Sequence, residues 1–360
     1  MRLLFALPGF HRYDRGAEVA LLSVASELAR NGEVVTVAGS GAVRPDVPYT
    51  YLHVPSIRRE RFERFPAVPP FRSETAWEDA TFAFNLVRRT RMTNYDASIT
   101  CSFPFTHWAL RRNGPHGPAH VFVTQNGDWP AFSDKAEFRT FSCDGLVCTN
   151  PDYAERNRDR WNCAVIPNGV DVERFTPGPG TRDVFGLPPD KPVVLMVSAL
   201  IASKRVLDGI RAVAELDDAV LVVAGDGPLR DEVTRLAEQL LPQRFKRVSL
   251  SAAEMPDLYR SADVFLHLSL LESFGNVFLE SWASGLPIVG HDSDRLRWIL
   301  GDRHYLCDTS NPQELGAALR AALAAPAGAS REGVQRYSWA TIAAEYRAFL
   351  SETLARRRTG

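Results

Sequence analysis

The chain has no apolar run that approaches the roughly 18–20 residues of a membrane-spanning helix. Its opening, MRLLFALPGF, is apolar only briefly and reads as a first strand rather than a signal peptide. A cytoplasmic protein is therefore expected. Cysteine is scarce and odd in number: Cys101, Cys143, Cys148, Cys163 and Cys307 lack zinc-like pairing, which favours reduced thiols over a disulfide framework. Neither sign of charge dominates, because 42 Lys and Arg face 43 Asp and Glu for a net charge of −1. That balance gives no overall case for nucleic-acid binding. No Gly-x-Gly-x-x-Gly follows the first strand, so a dinucleotide site is poorly supported. Short-period repeats and low-complexity tracts are also missing.

What is present is an alternation of short apolar runs and helical patterns. The 360 residues, 45% hydrophobic and 24% charged, suit two globular domains. Strands are expected at 2–7, 34–38, 96–102, 120–125, 144–150, 192–198, 219–225 and 248–251. A helix from about Gly16 to Asn31, with Val19, Leu22, Ala25 and Ala29 on one side and Gly32 as its stop, completes a Rossmann-like βαβ opening. Pro-Gly-Pro-Gly at 177–180 marks a loop or linker.

The most informative stretch is 262–290. An apolar strand, Ala-Asp-Val-Phe-Leu-His-Leu, leads into a loop holding Glu272. Gly275 and Asn276 then open a helix that Gly285 ends, and Pro287-Ile-Val starts the next strand. The loop therefore lies at the carboxyl end of a parallel strand, where open α/β sheets bind ligands. Free amides and a positive dipole end make the following helix N-terminus a phosphate site. Carboxylates at Glu272 and Glu280 bracket it, and each can accept hydroxyl donors.

Glu-x7-Glu in the setting Ser-Leu-Leu-Glu-Ser-Phe-Gly and Ser-Gly-Leu-Pro-Ile-Val resembles the signature of glycosyltransferase family 4: retaining, nucleotide-sugar-dependent and of GT-B fold. The resemblance spans nearly the whole chain and is strongest from 165 to 290. It implies an α/β protein of two Rossmann-like domains facing across a cleft. An acceptor-side domain would cover 1–172 and a nucleotide-sugar-binding domain 173–340, with a final helix, 341–360, crossing back to the first. Val165-Ile-Pro-Asn-Gly-Val-Asp-Val-Glu-Arg-Phe-Thr-Pro177 resembles the family's boundary segment. By the same resemblance, Glu272 contacts the donor sugar, Glu280 the ribose, and the backbone of Phe274, Gly275, Asn276, Val277 and Phe278 the donor phosphates.

Further candidates follow. Lys204 and Arg205 stand at a helix N-terminus, where cations oppose the dipole unless an anion sits there, and so point to a diphosphate. Family members commonly carry Arg at the position of Ala199. Gly16-Ala17-Glu18 resembles the family's Gly-Gly-x-Glu, with Arg15 in place of the first Gly; Glu18 reads equally as an acid favoured by the helix dipole. His107 is the nearest imidazole to Cys101 and Ser102, where relatives place a His, and is either a donor or acceptor contact or a structural residue. Gln125 stands where many relatives have His, leaving Asp128 as a candidate acceptor-side base or a turn residue. Residues 56–76, mixing Arg, Phe and Pro, suit either a solvated loop and helix face or an anionic or lipid-linked acceptor at a membrane surface. Asp292-Ser-Asp294 matches a metal-binding Asp-x-Asp pattern but reads here as a loop.

The reaction implied is transfer of a glycosyl group from a UDP- or GDP-linked sugar to a hydroxyl acceptor, a glycan, lipid-linked compound or small molecule. No metal and no cofactor beyond the donor are expected, and no nucleic-acid partner. The rivals are a catalytically inactive nucleotide- or partner-binding protein of the same fold and a GT-B epimerase or phosphorylase.

Overall fold

The computed structural model describes residues 1–133, 138–270, 274–325 and 331–359. The chain divides into two compact units, one of residues 1–169 with 339–360 and one of residues 170–338. The sequence placed the boundary near 172. It falls slightly earlier because the Val170 amide bonds to the carbonyl of Tyr337, closing the second unit on itself.

The first unit runs β1 (Arg2–Ala6), α1 (Gly16–Arg30), β2 (Val34–Gly39), β3 (Thr50–His53), α2 (Glu74–Arg89), β4 (Ala97–Thr100), α3 (Phe105–Arg111), β5 (Ala119–Val123), α4 (Trp129–Phe132), β6 (Gly145–Cys148), α5 (Pro151–Asn157) and β7 (Cys163–Val165). Among the described residues its sheet has seven parallel strands in the order β3-β2-β1-β4-β5-β6-β7. Side chains alternate across a strand. Leu3 and Phe5 of β1 therefore pack on α1 through Leu21, Val24 and Leu28, while Leu4 and Ala6 meet Phe82 and Leu86 of α2. Both faces are covered, which is why the strands are almost continuously apolar. The buried stripe of α1 is rotated from the expected one: Val19 is exposed, and Leu21, Val24, Ala25 and Leu28 turn inward at helical spacing.

The second unit runs β8 (Val193–Val197), α6 (Val206–Ala214), β9 (Val220–Ala224), α7 (Arg230–Leu240), β10 (Phe245–Val248), α8 (Met255–Arg260), β11 (Val264–His267), α9 (Asn276–Ala283), β12 (Ile288–His291), α10 (Asp294–Leu300), β13 (Tyr305–Cys307) and α11 (Pro312–Leu323). Its six described strands are parallel in the order β10-β9-β8-β11-β12-β13. Val193 and Leu195 face α8, α9 and α10, whereas Val194 and Met196 face α6, α7 and α11. Gly285 ends α9 with φ +85°, its amide bonding Trp282 and the next amide bonding Ser281. This pair of bonds is the C-terminal motif that favours glycine. β10 lies earlier than the expected 248–251. Phe245 packs into the core, while Lys246 and Arg247 on this edge strand reach the carbonyls of Phe185 and Gly225. Charged residues thus occupy a strand that the sequence pattern placed later.

The last helix, α12 (Trp339–Thr359), belongs to the first unit. It buries Ile342, Tyr346, Phe349 and Leu350 with α1 and the sheet. Its close seat on β6 requires a glycine without a side chain. A Cβ at Gly145 would lie 2.9 Å from two ring carbons of Phe349 and 3.0 Å from the Thr353 hydroxyl. Gly145→Ala is expected to destabilise the first unit by about 1–3 kcal/mol through overpacking, read as a lower denaturation midpoint. An unchanged midpoint would show that α12 is not seated there.

Candidate functional site

In the second sheet the strand order reverses between β8 and β11, so the loops after these strands diverge at their carboxyl ends and leave a crevice. Two of the predicted elements meet at this point. The loop after β8 carries Lys204 in a short 3-10 turn, and Arg205 follows with φ 53° as the residue that caps α6. The loop after β11 leads through Phe274 and Gly275 to α9. Glu272 lies outside the described residues.

Phe274 and Phe278 are buried, their rings packed against Trp298 and Tyr337 and against Phe265 and His267 respectively. Their side chains therefore belong to the core, and the Phe278 amide, expected to meet a phosphate, instead donates to the Gly275 carbonyl at 3.0 Å. Gly275 has φ +83°, a left-handed conformation that turns the chain sharply into α9. The amides of Asn276 and Val277 lie in the first turn, where a helix leaves its amides without a carbonyl partner in the helix.

Arg205 has a more specific position than expected. Its guanidinium bonds Asp208 at 2.9 Å, the Leu268 carbonyl at 3.4 Å, and the hydroxyl and carbonyl of Thr309 at 2.9 Å each. It ties the loop after β8 to those after β11 and β13. Asp208, three residues into the helix, supplies its countercharge. Arg205 therefore has an internal countercharge and need not meet an external anion. The Ser198 hydroxyl, directly after β8, is buried without a hydrogen-bond partner among the described residues.

Glu280 projects from α9 and accepts a hydrogen bond from the Tyr259 phenol, 2.9 Å from Oε2. Burial raises its pKa above the ordinary carboxylate value, while Tyr259 and the positive charge of Arg174 pull it down. Tyr259 was not singled out from the sequence, where it reads as one more apolar residue of α8. The one available signal was chemical: a tyrosine in an otherwise buried stripe needs a partner for its hydroxyl.

The first unit rearranges several assignments. His107 does lie in the first turn of α3, but it is completely buried. Its Nδ1 is 3.0 Å from Nε2 of His120, whose Nδ1 is 2.9 Å from the Ser98 hydroxyl, and its ring stacks on Phe141 at 4.9 Å. Burial pushes its pKa down to about 3. A neutral imidazole sealed in the core cannot meet a sugar, so His107 is a packing residue. Asp128 is likewise buried and held by both ends of the Arg156 guanidinium at 2.5 Å and by Asn157 at 2.8 Å. Of the two readings of Asp128, this clamp favours the structural one over the base: its oxygens already accept three donors. The signal for it, Arg156 and Asn157 in α5, is 28 residues or more away in sequence and could not be linked to Asp128 without the fold.

Gln125 exchanges two amide hydrogen bonds with Asn168, at 2.6 and 3.1 Å. Cys101 is buried, and that burial raises its thiol pKa. Gly16 opens α1 at an exposed position, whereas Glu18 is buried and paired with Arg15 at 2.8 Å, close against the glycine-bearing turn at Gly9. Asp292 forms a two-pronged pair with Arg297 at 2.5 and 2.6 Å, and Ser293 caps α10 by accepting from Leu296 at 3.3 Å. The Asp-x-Asp segment therefore acts as a helix start.

Two family models match the chain: Glycosyltransferase Family 4 over residues 15–174 and Glycosyl transferases group 1 over residues 180–338. The chain is 31% identical to the lipopolysaccharide core biosynthesis glycosyltransferase LpsE of Rhizobium meliloti, across 54% of this chain and 57% of that one. It is 30% identical to a GDP-mannose-dependent alpha-(1-6)-phosphatidylinositol dimannoside mannosyltransferase of Mycobacterium tuberculosis, across 64% and 63%. It thus spans less than two thirds of the length of these curated relatives. Sucrose-phosphate synthase from Thermosynechococcus elongatus has the same fold, with TM-score 0.77 and 19% identity over 99% of this chain and 100% of that one. Anabaena HepE, solved in complex with UDP-glucose, gives TM-score 0.73 and 17% identity over 98% and 100%. The fold is GT-B.

The Asp128 clamp has a direct test. Asp128→Asn replaces a charged acceptor by a neutral one and should lower the stability of the first unit by about 1.5–3 kcal/mol, the range for hydrogen bonds to charged groups. Nucleotide binding, assigned below to the second unit, should be retained. Full stability with lost turnover would instead restore Asp128 as a base.

Proposed function

The chain belongs to glycosyltransferase family 4, and we propose that it transfers a sugar from a UDP- or GDP-linked donor to a hydroxyl acceptor, with retention at the anomeric carbon and without a metal ion. The observation that carries this reading is the placement of Lys204, the first turn of α9 and Glu280 around the carboxyl ends of the strands flanking the switch point. A diphosphate there would receive helix amides and an ammonium, and a carboxylate nearby would accept ribose hydroxyls. Glu272 would orient the donor sugar. Lys204 and the α9 amides would stabilise charge on the departing diphosphate, with Arg205 holding the two loops in register. In retention by this route the acceptor attacks from the face that the diphosphate leaves, and a phosphate oxygen helps take its proton. No side-chain nucleophile is needed. The acceptor is a glycan, lipid-linked or small hydroxyl compound. The relatives named for lipopolysaccharide core and phosphatidylinositol mannosides support the first two classes.

The test is a pair of titrations with UDP and GDP against their nucleosides. One diphosphate should bind, and Lys204→Ala should weaken it about ten- to a hundredfold while leaving the nucleoside unaffected, as expected for a charge-assisted bond of about 1.5–3 kcal/mol. Turnover should persist in EDTA. Equal losses for nucleoside and diphosphate would remove Lys204 from the phosphate site.

Peripheral contact with an anionic membrane surface is part of the same proposal. In residues 56–76, Phe62, Phe65 and Phe71 pack around the Trp77 ring, while most of the other side chains of the segment are exposed. Ile57, Phe65 and Val68 remain about half-exposed beside exposed Arg58, Arg61 and Arg64. Apolar groups among arginines suit an interfacial site. The full chain should sediment with vesicles containing anionic lipid and not with neutral ones. Replacing Arg58, Arg61 and Arg64 together by Gln should reduce that binding by an order of magnitude or more, since each cation near such a surface contributes about 1 kcal/mol. Sedimentation that is blind to lipid charge would reject the contact.

A further inference from the structure

We propose that Tyr259 is a positioning residue for the nucleotide: its phenol holds the Glu280 carboxylate in the orientation and charge state that accept a ribose hydroxyl. This rests on the ribose reading of Glu280 given above.

Tyr259 is completely buried, its ring packed on Phe175 at 5.8 Å and Phe265 at 6.0 Å. A phenylalanine would fill this apolar site without a polar atom to satisfy. The hydroxyl is tolerated because it donates to Glu280 Oε2 at 2.9 Å. That bond has a consequence for Glu280. A glutamate side chain has three torsions, and an unanchored carboxylate would have to be ordered by its ligand. Anchoring Oε2 leaves Oε1 to accept a hydroxyl from a preset direction.

The bond also acts on charge. Among the described residues, the groups acting on the Glu280 carboxylate are Tyr259 from α8 and, at longer range, Arg174 from the segment before β8. Other charged groups on neighbouring elements are engaged elsewhere: Asp257 and Arg260 of α8 pair with each other, Arg336 lies over Trp282, and His291 of β12 contacts Thr309. Burial favours the neutral acid, whereas the phenol and Arg174 favour the carboxylate. Burial also raises the Tyr259 pKa, so the phenol remains a donor. A ribose hydroxyl donates best to the ionised form. Nucleotide affinity should therefore be full above the Glu280 pKa and fall as pH drops through it. Removing the phenol raises that pKa and moves the acid limb to higher pH.

The experiment is calorimetric titration of UDP and GDP across pH 4–8. In Tyr259→Phe the acid limb should move up by roughly half to one pH unit, a three- to tenfold loss of affinity on the limb. In a Glu280→Gln background, which has no carboxylate to titrate, adding Tyr259→Phe should change affinity less than twofold. A merely structural tyrosine would leave the limb in place and weaken both backgrounds equally, and that result overturns the proposal. Parental affinity in Glu280→Gln alone would overturn the ribose reading itself, a separate failure. Should Tyr259→Phe not fold, site-specific difluorotyrosine at 259 keeps the bond and strengthens the donor. The limb should then move to lower pH, and an unmoved limb rejects the role.

Discussion

The arrangement of the second unit depends on one guanidinium. Arg205, in a left-handed backbone conformation, bonds Asp208 in its own helix, the carbonyl of Leu268 and both oxygens of Thr309. Parallel strands place all their carboxyl-end loops at one edge of the sheet, but nothing in the sheet itself fixes those loops to each other. Arg205 does so for three of them, the loops after β8 and β11 at the switch point and the loop after β13. Its planar fork suits this work better than an ammonium, because it donates in several fixed directions at once. Lys204 precedes this staple directly in the short turn after β8.

Around this staple the proposed site consists of helix dipoles, an ammonium and carboxylates. The side chains of Phe274 and Phe278 are locked in the core, so the backbone between them is positioned by ring packing. Glu280 is positioned by a buried phenol. Groups held in this way need little reorganisation when charge develops, which is the physical basis of electrostatic stabilisation. The histidine and aspartate that look most chemical in the first unit are used differently. His107 completes a buried chain with His120 and Ser98, and Asp128 joins the start of α4 to Arg156 of α5. Polar groups in a low-dielectric interior are mostly paired: Asp128 is bonded by Arg156 and Asn157, and His107 through its Nδ1 to His120.

The same contrast appears in the aromatic, arginine-rich segment at 56–76. Its lack of helical periodicity hid its packing, since three phenylalanines converge on Trp77 from an irregular path. Periodicity detects faces of regular elements. It has no means of detecting a cluster assembled from turns.

The sequence alone determined the alternation of strands and helices, because strands covered on both faces must be apolar throughout and helices must carry an inward stripe. It also placed the loop–helix stretch from Gly275 to Gly285 at the end of a strand, because positive-φ glycines and an apolar run are local signals. Only the tertiary structure decided which polar residues are engaged inside the protein. The partners of Asp128, His107 and Gln125 lie 13 to 43 residues away, and Thr309 lies 104 residues from Arg205. Whether a carboxylate is a base or half of an ion pair, and whether a tyrosine is core or an anchor, depends on what the fold brings within 3 Å of it. Hydrogen bonding is that short in range, and spacing along the chain carries no information about it.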